Sequence, residues 1–156
     1  LFRLGTLQDK AGLKDQSIQT MTTLIQIDPD NASALNYLGY TYADMGINLD
    51  QALDLVSRAL EQKPEDGYIT DSMGWVYFKM QNYEKAVLYL ERAAQLSDFE
   101  SIIADHLADA YVMAGQLAQG LATYKKALAN IKPEETDLAK QLEEKIRDLE
   151  KQLDGK

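Results

Sequence analysis

Apolar positions along this chain recur every three or four residues in short blocks, and the blocks come in pairs. The clearest pair runs from Asp71 to Ala94, DSMGWVYFKMQNYEKAVLYLERAA. Such spacing puts the apolar residues on one stripe of a helix, because each helical residue turns about 100°. The first block carries Met73, Gly74 and Tyr77; the second carries Ala86, Leu90 and Ala93, with a break near Gln81-Asn82. The same pattern predicts helices over 1–11 and 14–27, 31–45 and 49–62, 67–80 and 83–96, and 99–114 and 117–130. Gly12, Gly46 and Gly115 fall at the breaks within pairs. Asp28-Pro29-Asp30-Asn31 and Lys63-Pro64 read as loops between pairs, with Asp and Asn suited to cap the next helix. Ser97-Asp98-Phe99-Glu100 has the spacing of a capping box, with Ser97 paired to Glu100. Pro133-Glu134-Glu135 predicts the start of a last helix over 134–153, since proline suits a first turn and acids suit its dipole.

The pairs repeat one another. Leu4-Gly5, Leu38-Gly39, Met73-Gly74 and Leu107-Ala108 are spaced by 34, 35 and 34 residues. Tyr42, Tyr77 and Tyr111 follow three residues after the small residue. Small residues recur in the second helices at Ala52, Ala86 and Gly120, and again at Ala59, Ala93 and Ala127. Pro29 and Pro64 end two units 35 residues apart, and Pro133 ends the last one residue out of step. The one longer spacing is assigned to an extra residue in the turn Gly46-Ile47-Asn48-Leu49-Asp50. A period of this length in paired helices predicts a stacked array, because one pair has apolar residues on more than one face and cannot bury them alone.

These residues resemble the tetratricopeptide repeat (TPR) family over about 1–133. The resemblance implies an all-α fold, a right-handed α-solenoid of helix-turn-helix units with a C-terminal capping helix. It divides the chain into an array over 1–133, made of a partial repeat at 1–30 and repeats at 31–66, 67–98 and 99–133, followed by a capping helix and tail at 134–156. Asn36 to Ala59 and Asp71 to Ala93 are similar to a bacterial subgroup that is often exported or lipid-anchored, which leans toward a periplasmic or outer-membrane-associated protein without fixing a compartment. The first unit departs from the pattern: Gln8 stands where the others have Tyr, Ser17 where they have a small apolar residue and Leu24 where they have Ala. It opens inside a first helix, as expected of a piece of a longer protein.

Charge narrows the partners. The net charge of −9 sets the chain against nucleic acid and anionic lipid. No run of about 18 apolar residues occurs that could span a membrane. There is no cysteine, hence no disulfide. His106 is the only histidine, so a nucleophile–base pair would need it beside Ser72 or Ser101; a structural role on the helix is the expectation. Asp105, His106 and Asp109 do not make a metal site, because Asp105 and His106 are adjacent and diverge by about 100° on a helix. Neither enzyme activity nor a cofactor is expected.

In a TPR array the first helices line the concave face, which implies a binding wall made of the residues two before and one after each small-residue step, extended by one turn. Those are Asn36, Tyr40 and Asp44; Asp71, Trp75 and Lys79; and Asp105, Asp109 and Met113, with Tyr68 and Ile102 at the top of the same wall. Trp75 reads equally as an interface anchor and as packing between first helices. Lys79 is the only base among these residues, which argues against capture of a carboxylate and for an extended peptide or protein with apolar and some basic side chains. Leu138, Leu142, Ile146, Leu149 and Leu153 form one stripe on the last helix, either a cap over the array or, over 134–153, a seam for a homo-oligomer. The reading is a protein-interaction scaffold. The alternatives are a structural or self-assembly module, or an accessory domain of a larger envelope protein.

Overall fold

A computed structural model describes residues 1–155, and the secondary structure of these is α-helix joined by turns. The helices are α1 (Phe2–Lys10), α2 (Lys14–Ile27), α3 (Ala32–Met45), α4 (Leu49–Gln62), α5 (Gly67–Lys79), α6 (Tyr83–Leu96), α7 (Ser101–Met113), α8 (Leu117–Ala129) and α9 (Thr136–Asp154). Each odd helix packs antiparallel on the even helix that follows, and each even helix packs on the next odd one. The first helices α3, α5 and α7 also pack side by side. Together these contacts build a right-handed α-solenoid with the first helices as its inner layer and α9 closing the end against α8.

Close approach within a pair depends on the small residues. A Cβ on Gly39 would lie 2.6 Å from Val56 Cγ2, and one on Gly74 would lie 2.5 Å from Leu90 Cγ. In the fourth pair the roles are exchanged: Ala108 is buried on α7, and the glycine is Gly120 on α8, whose Cβ would lie 2.7 Å from Val112 Cγ2. The space these contacts leave is filled by Leu35, Leu38, Val56 and Val76 in one buried cluster and by Leu90, Ile103 and Leu107 in a second, with the partly buried Tyr77 and Phe78 packed against both. Tyr42 and Tyr111 are nearly buried beside it, while Tyr77 keeps partial exposure and stacks on Tyr89 at 5.5 Å.

Turn chemistry explains the longer second unit. Gly46, Gln81 and Gly115 each take a positive φ seven residues after the small residue of their unit. After Gln81 and Gly115 one residue precedes the next helix; after Gly46 there are two, Ile47 and Asn48. Asn48 absorbs the insertion with a left-handed φ of 49°, a region that Asn tolerates better than most residues.

Two local expectations fail. Ser97 and Glu100 do not form a capping box. Asp98 and Phe99 turn left-handed at φ 53° and 56°, so α7 starts only at Ser101. Ser97 Oγ instead donates back to Ala94 O at 3.3 Å, Phe99 N–H to Ala94 O at 2.7 Å, and Lys126 Nζ sits 3.5 Å from the Phe99 ring centroid. The last helix starts at Thr136 rather than 134, because Lys132 to Glu135 close a turn of their own. The Glu135 carboxylate accepts from Lys132 N–H at 2.8 Å and from the Ser101 hydroxyl, which ties the turn to the start of α7.

Candidate functional site

Caps set the register of the inner wall. Asn31 Oδ1 accepts from Ala34 N–H at 3.0 Å to start α3, and Asp66 accepts from Tyr68 N–H and Ile69 N–H at 2.9 and 3.1 Å to start α5. From those starting points Asn36, Tyr40 and Asp44 share one face of α3, Asp71, Trp75 and Lys79 one face of α5, and Asp105, Asp109 and Met113 one face of α7.

The structure divides these residues into a sealed floor and an open rim. Trp75 belongs to the floor, only 8% exposed. Its indole lies between Phe78, at 4.6 Å and an interplanar angle of 5°, and the His106 imidazole, at 4.1 Å and 18°. Its Nε1–H donates to Asp44 Oδ1 at 3.3 Å, and Lys79 Nζ lies 5.3 Å from the ring centre while donating to Asp44 O at 3.4 Å. One side chain of α5 thereby links α3 to α7.

His106 and Asp71 are both buried, with Nδ1 2.9 Å from Oδ1. Burial alone lowers the imidazole pKa, but the Asp71 carboxylate, with Asp105 and Asp109 behind it, outweighs burial and holds it above the usual value of 6.5. Tyr40 covers the pair, its ring 6.3 Å from the imidazole, and burial with Asp44 and Asp71 nearby raises its phenol pKa. Neither candidate serine serves His106: Ser72 Oγ donates to Tyr68 O, and Ser101 Oγ to Glu135. No group of three or more His, Cys, Asp or Glu able to hold a metal occurs among the described residues.

Asp105 and Asp109 lie together at the far end of the wall. Burial raises the Asp105 pKa, the Asp109 charge raises it further, and Lys145 opposes both. Lys145 Nζ is 2.8 Å from Asp105 Oδ1 and 3.0 Å from Asp109 Oδ1.

The rim is open. Tyr68 is 56% exposed, with its hydroxyl donating to Glu100, and Ile102, Met113 and Asp44 are exposed. Asn36 is half-buried at a cavity of about 220 Å³ lined by Phe2, Tyr37, Tyr68 and Ile69 together with Ser33, Lys63 and Asp66. Its Oδ1 is buried and has no hydrogen-bond partner. A wider depression of about 470 Å³ lies over Asn82, Lys85, Leu88 and Glu91, but all its lining comes from residues 82–91, so no second helix walls it.

Sequence reasoning missed three contributors. Phe78 stacks on Trp75 from outside the expected face of α5, Lys145 comes from a helix whose apolar stripe predicts only a cap or seam, and Asp71 pairs with His106 across two first helices. Their spacing held a usable signal: Asp44–Trp75 and Asp71–His106 are 31 and 35 residues apart, close to one repeat.

Models of the tetratricopeptide repeat match residues 2–67 and 72–99. The chain is 36% identical over 95 residues to the TPR repeat-containing protein PA4667 of Pseudomonas aeruginosa, covering 61% of this chain and 16% of that protein. It is 26% identical over 130 residues to tetratricopeptide repeat protein 1 of Schizosaccharomyces pombe, covering 75% of this chain and 12% of that protein. It therefore spans a small part of the length of these relatives. Among solved structures, the thermophilic TPR protein TTC0263 of Thermus thermophilus superposes with a TM-score of 0.78 at 26% identity, over 92% of this chain and 78% of that one. A crystal structure of MamA superposes with a TM-score of 0.68 at 19% identity, over 97% and 95% of the two chains, a likeness of fold.

Proposed function

Because the chain belongs to the tetratricopeptide repeat family, whose repeats mediate protein–protein interaction, we propose that it is a scaffold that holds an extended segment of a partner protein along its inner wall. The observation that carries this reading is the cavity beside Asn36, bordered by the exposed Tyr68 of the inner rim. It has a volume of about 220 Å³ and is lined by Phe2, Tyr37, Tyr68 and Ile69 together with the polar side chains of Ser33, Asn36, Lys63 and Asp66. An extended segment laid along α3 places an apolar side chain against the rings of Phe2, Tyr37 and Tyr68, with its backbone beside the polar groups of the lining. The exposed Tyr68 and Ile102 continue the contact surface, and the acids Asp44, Asp105 and Asp109 favour lysine or arginine over acidic residues in the bound segment. Trp75 supports the wall from beneath and makes little direct contact.

The test pairs inner and outer substitutions in the full chain. Changing Asn36 and Tyr68 together to Ala weakens partner capture by about tenfold or more, as expected from removing two central contacts. Changing the exposed Leu88 to Ala leaves capture unchanged. Equal capture by wild type and both variants, with helix content intact, contradicts the reading.

A further inference from the structure

The inner wall already holds one ammonium group, and it comes from the protein itself. Lys145 lies on α9, 40 residues from Asp105 and 36 from Asp109, outside the repeated helix pairs. Its Nζ donates to Asp105 Oδ1 at 2.8 Å and to Asp109 Oδ1 and Oδ2 at 3.0 and 3.3 Å. The Tyr124 hydroxyl donates to Asp109, and the Tyr124 ring centre lies 5.4 Å from Nζ, so an aromatic surface completes the enclosure. We propose that Lys145 is an internal occupant of a primary-ammonium subsite, and that a lysine side chain of the partner displaces it on docking. This rests on the inner-wall reading above.

Three features favour exchange over a purely structural bridge. Lys145 is not what seats α9: Leu142 and Leu149 are buried against the array, and Leu138, Ile146 and Leu153 pack beside them. The Lys145 side chain is 33% exposed, so its flexible stem can swing the charge into solvent while the helix stays docked. Asp105 is buried and needs a counter-charge. A partner lysine supplies one and an apolar or acidic residue does not, so the exchange swaps charge for charge and rejects the wrong segment. The subsite thereby sets specificity, with Lys145 as the competitor every partner must displace.

The test reads the subsite without any partner. In Lys145→Met the stem volume is kept and the ammonium is lost, so thermal stability falls. Ethylammonium chloride restores it, raising the folded-to-unfolded ratio about fivefold when the free cation is about four times its dissociation constant. Tetramethylammonium chloride at equal ionic strength, which has the charge but no N–H donor, does not. An equal response to both salts, or to neither, overturns the proposal. Should the variant not fold, the wild-type chain is used. The Lys145 13Cε resonance moves toward the position of exposed lysines as ethylammonium is added and is still in tetramethylammonium; no movement overturns the proposal. Failure here leaves the inner-wall reading standing, while failure of the Asn36/Tyr68 test removes displacement by a docked partner whatever the free cations do.

Discussion

Trp75 owes its position to three helices at once, and His106 makes that arrangement sensitive to pH. The folded-state pKa of His106 is raised above 6.5, so the protonated imidazole gains from folding. That stabilisation is full below about pH 6.5 and is lost as pH rises through the raised pKa. Urea melts of wild type and His106→Asn across pH 5.5–9 should therefore diverge most at the acid end and converge toward the alkaline end. Trp75 supplies a second readout. A protonated imidazole in contact quenches indole emission, so fluorescence of this only tryptophan should rise with pH in wild type and stay flat in His106→Asn. The small residues make a separate demand. Gly74→Ala sets a methyl 2.5 Å from Leu90 Cγ and should cost about 1–3 kcal/mol by overpacking, read as a lower urea midpoint with an unchanged slope. The periodic small residues announced this contact from sequence. Burial of the indole was not legible, because its cover comes from Phe78 on its own helix and His106 on the next first helix.

At the scale of elements, α9 is a cap by its packing. Leu142 is fully buried and Leu149 4% exposed, in one cluster with Ala104, Ala108, Tyr124 and Ala127. Leu138, Ile146 and Leu153 of the same stripe pack beside this cluster and stay partly exposed. Leu142→Ala should cost about 2–5 kcal/mol, measured by chemical denaturation. Deleting 134–156 should expose the α7–α8 surface and produce aggregates in light scattering; a clean, stable monomer of the truncated chain would contradict the cap. The helices themselves were legible because the three-to-four periodicity was sustained and every break carried Gly, Asn, Asp or Pro. Their ends were less so. The stretch Ser97–Glu100 fits a capping motif by spacing, yet Phe99 is drawn under Lys126 and the chain turns left-handed instead. Glu135 is likewise diverted from the helix dipole to Ser101, 34 residues away, a partner no local pattern reveals.

At the scale of the molecule, the inner wall collects carboxylates in a chain of net charge −9. Capture of a basic segment should weaken as salt rises from about 0.05 to 0.5 M, mainly through a slower association rate, because screening shortens the reach of the field. The array was legible from its period, and the line of the wall from the phase of the small residues. What lies sealed in that wall and what stands open was not, because it depends on contacts one repeat away and on Lys145 arriving from α9. The most direct test of the account places a photo-crosslinking amino acid at Tyr68 or Ile102 on the inner rim and, for comparison, at Leu88 on the outer face, all exposed. The account predicts adducts with one and the same partner from Tyr68 and Ile102 and none from Leu88. Adducts from Leu88 alone would contradict it.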